Sequence, residues 1–522
     1  MTDYTRWRPA EWTRPQEEIE ALVAITVKGH RFESADSFLD EYPELLKVPR
    51  VGRHRQVIAS AVKKADATGP NNTEVEVVEL YIKQLMTDHL FVTMRDVLWV
   101  YDTHTGIWVS DQAEGLIADY VAKDLHDKTK YRSRIIAEVT KGIKDLSHKP
   151  GVVLGGPPNI ITCRNGRLDL NTGQFVDVFS PFEYHITAIP TTYDPNAECP
   201  VFKKFFSEVV DEQKDRDAVL EFLGYCLYKR HLNESTLLLL GEGSNGKSTL
   251  LNVLIALIGE GNYSAASLQE LTENRFRTAQ LHGKLANISA DISARVVKST
   301  NVLKALTGDV IQAEKKGQEP FEFRSYAKLI FSANKLPPSA DDSLAYYRRF
   351  RIVDFPHTFD PVSPGTDKHL GEKMTTPNEL SGILNLMVTG LQRLLKRGML
   401  TGEMGMKEKR ADYIKRSDSV HYFSENFVTE GGNEYGIPVG DMYGWYVQVA
   451  HIIKAVPVGQ KKFTHEMRRF VPFAEIEKKR YEKTTEYAWM GCTVAIEKLA
   501  ELEDQKTKEA KDQKAKGVVT GV

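Results

Sequence analysis

Ser235-Thr236-Leu237-Leu238-Leu239-Leu240 runs directly into Gly241-Glu242-Gly243-Ser244-Asn245-Gly246-Lys247-Ser248, and Thr249 to Ile258 continues as an apolar helical stretch. A short unbroken apolar run that stops at glycine reads as a strand buried on both faces. The octet fits G-x-x-x-x-G-K-S, the pattern of a phosphate-cradling loop. Gly241, Gly243 and Gly246 let backbone N–H groups turn toward anionic oxygens, and the N-terminus of the next helix adds partial positive charge. Lys247 neutralises the β- and γ-phosphates and the Ser248 hydroxyl ligates magnesium, with Glu242, Ser244, Asn245 and Thr249 completing the wrap. A glycine-rich surface turn is the plain alternative, and the strand before it and the helix after it argue against that. ATP and Mg2+ are therefore the expected cofactors.

A phosphate loop needs an acidic partner on a neighbouring strand. Lys284-Leu285-Ala286-Asn287-Ile288-Ser289-Ala290-Asp291 supplies an apolar strand ending in a carboxylate, which makes Asp291 the candidate for holding metal or activating water. Ala290 stands where a second acid would be expected, so one carboxylate has to orient both, and a strand-end Asp capping the next helix is the competing reading. A third strand, Ala327-Lys328-Leu329-Ile330-Phe331-Ser332-Ala333-Asn334, ends in an amide suited to holding the attacking water, or simply to forming a turn before Pro337-Pro338. Tyr346-Tyr347-Arg348-Arg349-Phe350 places two arginines ahead of another strand. An arginine delivered to the γ-phosphate of a neighbouring subunit would make hydrolysis depend on assembly, and spacing does not choose between Arg348 and Arg349. A surface salt-bridge pair is the alternative.

Around this centre the 522-residue chain divides by pattern. Residues 1–75 form a small segment without assignable chemistry, ending at Ala67-Thr68-Gly69-Pro70-Asn71-Asn72. Residues 76–235 read as an α+β module with strands near Val97–Tyr101 and Gly106–Val109. Residues 236–400 alternate strands and helices, the signature of an α/β fold with a parallel sheet. Residues 401–500 are mostly helical and locally basic, and 501–522 form a charged tail, either disordered or a solvated helix. Cys163, Cys199, Cys226 and Cys492 stand apart, without the paired spacing of a zinc module or a disulfide framework. No membrane-length apolar run or secretion signal is present, which makes a cytoplasmic protein the expectation. The formal net charge of -2 means that any polyanion must meet local basic patches.

In order along the chain stand the phosphate loop, the single-acid strand, Leu303-Lys304-Ala305-Leu306-Thr307-Gly308-Asp309 leading to Lys315-Lys316, the Phe331–Asn334 strand and the Arg348-Arg349 pair. The set resembles superfamily three helicases, in particular the phage and plasmid primase-helicase family related to the poxvirus primase-helicase. Asn165–Leu170, Tyr193–Pro200, Glu379–Asn385 and Ser417–Val420 extend the resemblance over roughly residues 80 to 495. It implies an AAA+ core, hexameric rings threading one DNA strand 3′ to 5′, and DNA contacts at Lys304, Lys315 and Lys316. Many relatives carry a primase-polymerase domain, for which the first 75 residues are too few, so a separate primase or polymerase is an expected partner. A bacterial host cell is the setting this family implies.

Lys461-Lys462-Phe463-Thr464-His465-Glu466-Met467-Arg468-Arg469-Phe470 reads as a basic amphipathic helix, with Tyr487–Val494 as the following strand. Helix then strand suits a winged-helix module placing Arg468 and Arg469 on DNA. A basic helix packed on the motor is the alternative. The leading expectation is a DNA helicase acting on single-stranded and forked DNA. An ATP-switched origin-binding or loading factor and a small-acceptor kinase are the competing classes.

Overall fold

The computed structural model describes residues 72–518, apart from 126–128, 291, 293–300, 315–319, 340, 342, 361–362, 364–366, 433, 454 and 482–484. The first unit pairs the helix Asn72–Asp88 with an antiparallel sheet of β1 (Phe91–Met94), β2 (Val97–Asp102) and β3 (Ile107–Val109). Arg95 and Asp96, at φ 49° and 61°, make the two-residue turn between β1 and β2, a left-handed pair whose twist suits a hairpin. Val77, Tyr81 and Leu85 recur every four residues and bury one helical stripe against β1, β2 and the helices Ala113–Asp124 and Thr129–Leu146. A second antiparallel sheet follows, of β4 (Ile160–Cys163), β5 (Gly166–Asp169) and β6 (Phe175–Val176).

The central sheet holds five parallel strands, β7 (Thr236–Leu240), β8 (Tyr263–Ser264), β9 (Ala286–Ser289), β12 (Lys328–Ala333) and β13 (Phe350–Asp354), in the order β13-β7-β12-β9-β8. A hairpin of β10 (Val310–Ala313) and β11 (Phe321–Arg324) projects between β9 and β12. Parallel pairing requires crossovers that cover both faces, which is why Leu237, Leu238 and Leu239 are all buried and read as one apolar run. Leu237 and Leu239 face a core shared with the helices Lys247–Ile258 and Pro377–Arg397, whereas Leu238 faces Leu268, Tyr346 and Tyr413. The first of these cores also takes in Ile161 and Leu168 and the helices Pro200–Val209 and Gln213–Leu227, so packing is continuous across residue 235, where the sequence suggested a boundary.

Beyond the helix Met406–Ser417 the chain builds a third core from the helices Ser419–Phe427, Val439–Ile452 and Gln460–Phe470 around Tyr446, Phe463 and Trp489. Strands β15 (Ile437–Pro438), β16 (Glu475–Arg480) and β17 (Thr485–Met490) form a sheet in the order β15-β17-β16, and β14 (Val428–Glu430) pairs with β18 (Cys492–Val494). The single strand expected over Tyr487–Val494 is two strands, because Gly491 at φ 78° turns the chain between them. Past it, Ile496–Val518 is helical. Among the described residues no helix is long and apolar enough to cross a membrane.

Candidate functional site

β7 delivers its last residue to the C-terminal edge of the sheet, where three loop residues take left-handed backbone conformations: Gly243 at φ 114°, Ser244 at 49° and Gly246 at 86°. Gly241 has no room for a side chain, since a Cβ there would lie 2.6 Å from the Phe355 carbonyl oxygen. Asn245 is buried and holds the loop together. Its Nδ2 donates to the carbonyls of Phe355 (3.2 Å) and His357 (3.0 Å), while its Oδ1 accepts from the Gly243 N–H (2.5 Å) and from Lys247 Nζ (2.9 Å). The Lys247 ammonium also donates to the Gly241 carbonyl at 2.5 Å, so the cation is held over the mouth of the loop by the loop's own oxygens. Glu242, Ser244 and Ser248 are exposed on the rim and Thr249 is half-buried. The helix Lys247–Ile258 starts at Gly246 without a side-chain cap, and its first-turn N–H groups lie beyond reach of intrahelical acceptors. A buried lysine, an uncapped twelve-residue helix and a left-handed glycine loop form a donor set that fits a polyphosphate.

Asn334 follows β12 directly, and the Gly241 N–H donates to the Ala333 carbonyl at 3.1 Å, so the exposed Asn334 sits beside the start of the loop. β9 lies on the far side of β12 from β7, ending at Ser289 in register with Phe331. Asp291 itself lies outside the described residues, as do Lys315 and Lys316, which fall between β10 and β11 in sequence. Lys304 belongs to the helix Asn301–Leu306. The hairpin base carries an aromatic cluster in which His282 meets Phe321 and Phe323 edge-on at 5.5 and 5.1 Å.

Arg348 and Arg349 lie at the other edge of the sheet. Phe350 pairs with Thr236, the first residue of β7, and a five-residue strand spans roughly 16 Å, which separates the arginines from the phosphate loop of their own chain. The two side chains are treated differently. Arg349 is 4% exposed, its Nε donates to Thr307 Oγ1 at 3.0 Å, its Nη1 donates to the Ala345 carbonyl, and its Nη2 lies 2.7 Å from Glu234. Burial pulls its pKa below the ordinary guanidinium value, against the nearby Glu234 carboxylate, which raises it. Arg348 is exposed and shares the same Glu234 oxygen at 2.5 Å. Glu234, which clamps both, carried no signal in the sequence pattern.

On the helix Gln460–Phe470 the apolar side chains Phe463 and Met467 face the core, leaving Arg468 and Arg469 exposed. A groove of about 380 Å³ runs along this face, lined by Val439, Gln460, Lys461, Thr464, His465 and Arg468. Arg469 lies over the Phe470 ring at 5.4 Å, and Phe470 stacks on His421 at 4.3 Å. Lys478 and Arg480 on β16 and Tyr487 on β17 are exposed on the adjoining strands.

Residues 3–211 match the family described as D5 N terminal like, and residues 239–349 match a family of unknown function, DUF5906. The chain is 24% identical over 359 residues to a putative helicase of Acanthamoeba polyphaga mimivirus, covering 62% of this chain and 36% of that protein. It is 22% identical over 390 residues to a putative helicase of Sputnik virophage, covering 66% and 48%, and 23% identical over 365 residues to one of Invertebrate iridescent virus 3, covering 62% and 38%. It therefore spans less than half the length of these curated relatives. The apo structure of the NrS-1 C-terminal region is similar over 78% of this chain and 97% of that one, at 14% identity and a TM-score of 0.41. The sequence matches thus make the chain similar to putative helicases of large DNA viruses and a virophage. The motif resemblance begins near residue 80, whereas the family match starts at residue 3, so the N-terminal segment without assignable chemistry lies inside a recognised family region.

Proposed function

We propose that this chain is an ATP-dependent DNA helicase of the superfamily three type, an AAA+ motor that works as a ring on single-stranded and forked DNA during replication of a viral element. The observation that carries the reading is the sheet itself. Its order β13-β7-β12-β9-β8 sets the strand before the phosphate loop between β13 and β12, with Asn334 following β12 and with β9, which precedes Asp291 in sequence, beyond it. That order supports a loop, a water-positioning group and a metal-binding acid gathered at one edge of the sheet. The arginine pair at the opposite edge cannot serve its own loop, which supports action on a neighbour and hence a head-to-tail ring.

In this reading Gly241 to Thr249 wrap the nucleotide, with Lys247 against the β- and γ-phosphates. Ser248 and Asp291 would hold Mg2+, which supplies charge neutralisation on the phosphates when bound. Asn334 orients the attacking water, and Arg348, the exposed member of the pair, reaches the adjacent protomer. Lys304, Lys315 and Lys316 are the residues this reading assigns to the DNA strand. The helix order of the third core and the sheet order β15-β17-β16 support a winged-helix module, with Arg468 and Arg469 on DNA.

The test is ATP hydrolysis by the full chain with and without single-stranded DNA, beside Lys247→Ala. We expect DNA-stimulated turnover that Lys247→Ala abolishes. Tight ATP binding with turnover indifferent to DNA would replace the motor with a nucleotide-switched loading factor.

A further inference from the structure

The helix Met406–Ser417 leaves the motor for the C-terminal core and touches each of the regions just described. Near its start Lys409 is 4% exposed and donates from Nζ to the Arg348 carbonyl at 2.8 Å, with Glu403 as its second partner. One turn on, Tyr413 donates its hydroxyl to the Pro337 carbonyl at 2.9 Å, in the loop that follows Asn334, and lies 3.3 Å from the Tyr346 hydroxyl. At the end Arg416 grips both oxygens of Asp354 at 2.6 and 2.9 Å and Asp412 at 2.8 Å. Asp354 pairs in register with Leu240, the residue before the phosphate loop. Arg410 adds an ion pair of 2.5 Å to Glu425 on the first helix of the C-terminal core.

These contacts order themselves along one line. The helix runs alongside β13 in the same direction, with Lys409 at the arginine edge and Arg416 at the phosphate edge. Seven residues of helix rise about 10 Å, while the five residues of β13, Phe350–Asp354, span about 16 Å and Arg348 lies in the turn just before them. Two long side chains reaching outward from the helix cover the difference. A buried ammonium is costly to leave unpaired, so the donor that Lys409 directs at the Arg348 carbonyl fixes the backbone from which Arg348 projects.

We propose that Lys409 and Arg416 are positioning residues at opposite ends of one strut. Lys409 acts through Arg348 on the neighbouring protomer's site, and Arg416 acts through β13 on the loop of its own protomer. The strut makes the loop and the arginine of one chain a single rigid piece, so a shift at one site is felt at the next, and the C-terminal core rides on the same helix. This inference rests on the shared-site reading above.

Pairwise mixing of inactive full-length variants separates the two ideas. In a head-to-tail ring, equal amounts of Lys247→Ala and Arg348→Ala rebuild about one intact site in four by random pairing, so ATP turnover returns from a background near zero to about a quarter of wild type. No recovery in that control mixture sinks the shared-site reading. With recovery established, Lys409→Met should restore turnover to the same level when mixed with Lys247→Ala, and none with Arg348→Ala. Arg416→Met should do the reverse, failing with Lys247→Ala and recovering with Arg348→Ala. Lys409→Arg, which keeps a cationic donor, should regain most of the single-variant loss. Recovery of Lys409→Met with the wrong partner, with neither partner, or wild-type turnover on its own would each overturn the strut. Where melting shows that Lys409→Met does not fold, Lys409→Gln is scored by the same pairings.

Discussion

Where β7 ends, the sheet presents backbone: a loop of left-handed residues, an uncapped helix start, and one lysine held by main-chain and amide oxygens. Where β7 and its neighbours begin, it presents buried cations clamped by side chains and carbonyls. Arg349 is locked between Glu234 and Thr307, and Lys328, at the start of β12, donates to the carbonyls of Tyr228 (2.5 Å), Tyr326 (2.7 Å) and Arg230 (3.2 Å) beneath the Tyr225 ring. One edge is built of loop backbone around a single lysine, and the other of cations held by groups of the same chain. A side chain at the second edge can work on another molecule only if it is exposed, and of the adjacent arginines, both paired with Glu234, Arg348 is the exposed one.

Separating the two arginines gives the largest expected effect. Arg348→Ala should lower turnover by roughly 10³-fold, the scale of a lost transition-state arginine, and leave the melting temperature of the protomer unchanged. Arg349→Ala should do the opposite at first order, costing about 2 kcal/mol of stability through a vacated buried site and the lost bond to Thr307, with turnover falling only as folding does. Urea titration beside steady-state hydrolysis measures both, and equal effects of the two substitutions on turnover would break the contrast between the edges.

The glycine loop was legible because its chemistry is local: backbone that must turn left-handed selects glycine at fixed spacing, and a strand buried on both faces selects an unbroken leucine run. The parallel sheet followed from the same alternation. The arginine pair was visible as a pair but not divisible, because both meet Glu234, more than a hundred residues earlier in the chain, and what distinguishes Arg349 is its burial and its bond to Thr307. Asn245 was read as one more loop residue, whereas its burial against Phe355 and His357 depends on how β13 continues past the sheet. In the C-terminal core the basic helix followed from its apolar positions Phe463 and Met467, while the break at Gly491 was lost in a run of otherwise strand-forming residues. Glu403 and Lys409, like Asp354 and Arg416, gave no sequence signal, since ion pairs across a fold leave no periodicity.

A second test sharpens the buried-cation edge. Burial pushes the Lys328 ammonium down to about 7 from an unfolded value near 10.5, while three carbonyls and the Tyr225 face oppose that loss of the proton. A base whose folded pKa lies below its unfolded one takes up a proton on unfolding between those two values. Stability should therefore rise as pH increases from about 7 toward about 10, and below about 7 the full cost of burying the charge applies. Lys328→Met should flatten that part of the stability-against-pH profile in chemical denaturation. A profile of unchanged slope would mean that the carbonyl cage keeps the ammonium fully charged, making this edge more strongly bound than the burial alone implies.

The smallest effect tests the same distinction outside the sheet. Arg468 is exposed beside the groove on the helix Gln460–Phe470, and its i−4 neighbour Thr464 and i−3 neighbour His465 share that face. By the rule drawn from the arginine pair, an exposed cation is available to a phosphate. Each phosphate neutralised releases condensed counterions, so Arg468→Ala should reduce the slope of log binding constant against log salt by about one for duplex or forked DNA, weakening all sequences alike. Fluorescence anisotropy over a salt series measures the slope. A loss of affinity with the slope intact would assign Arg468 to packing within the module, and a loss confined to one sequence would assign it to a base edge instead of the backbone.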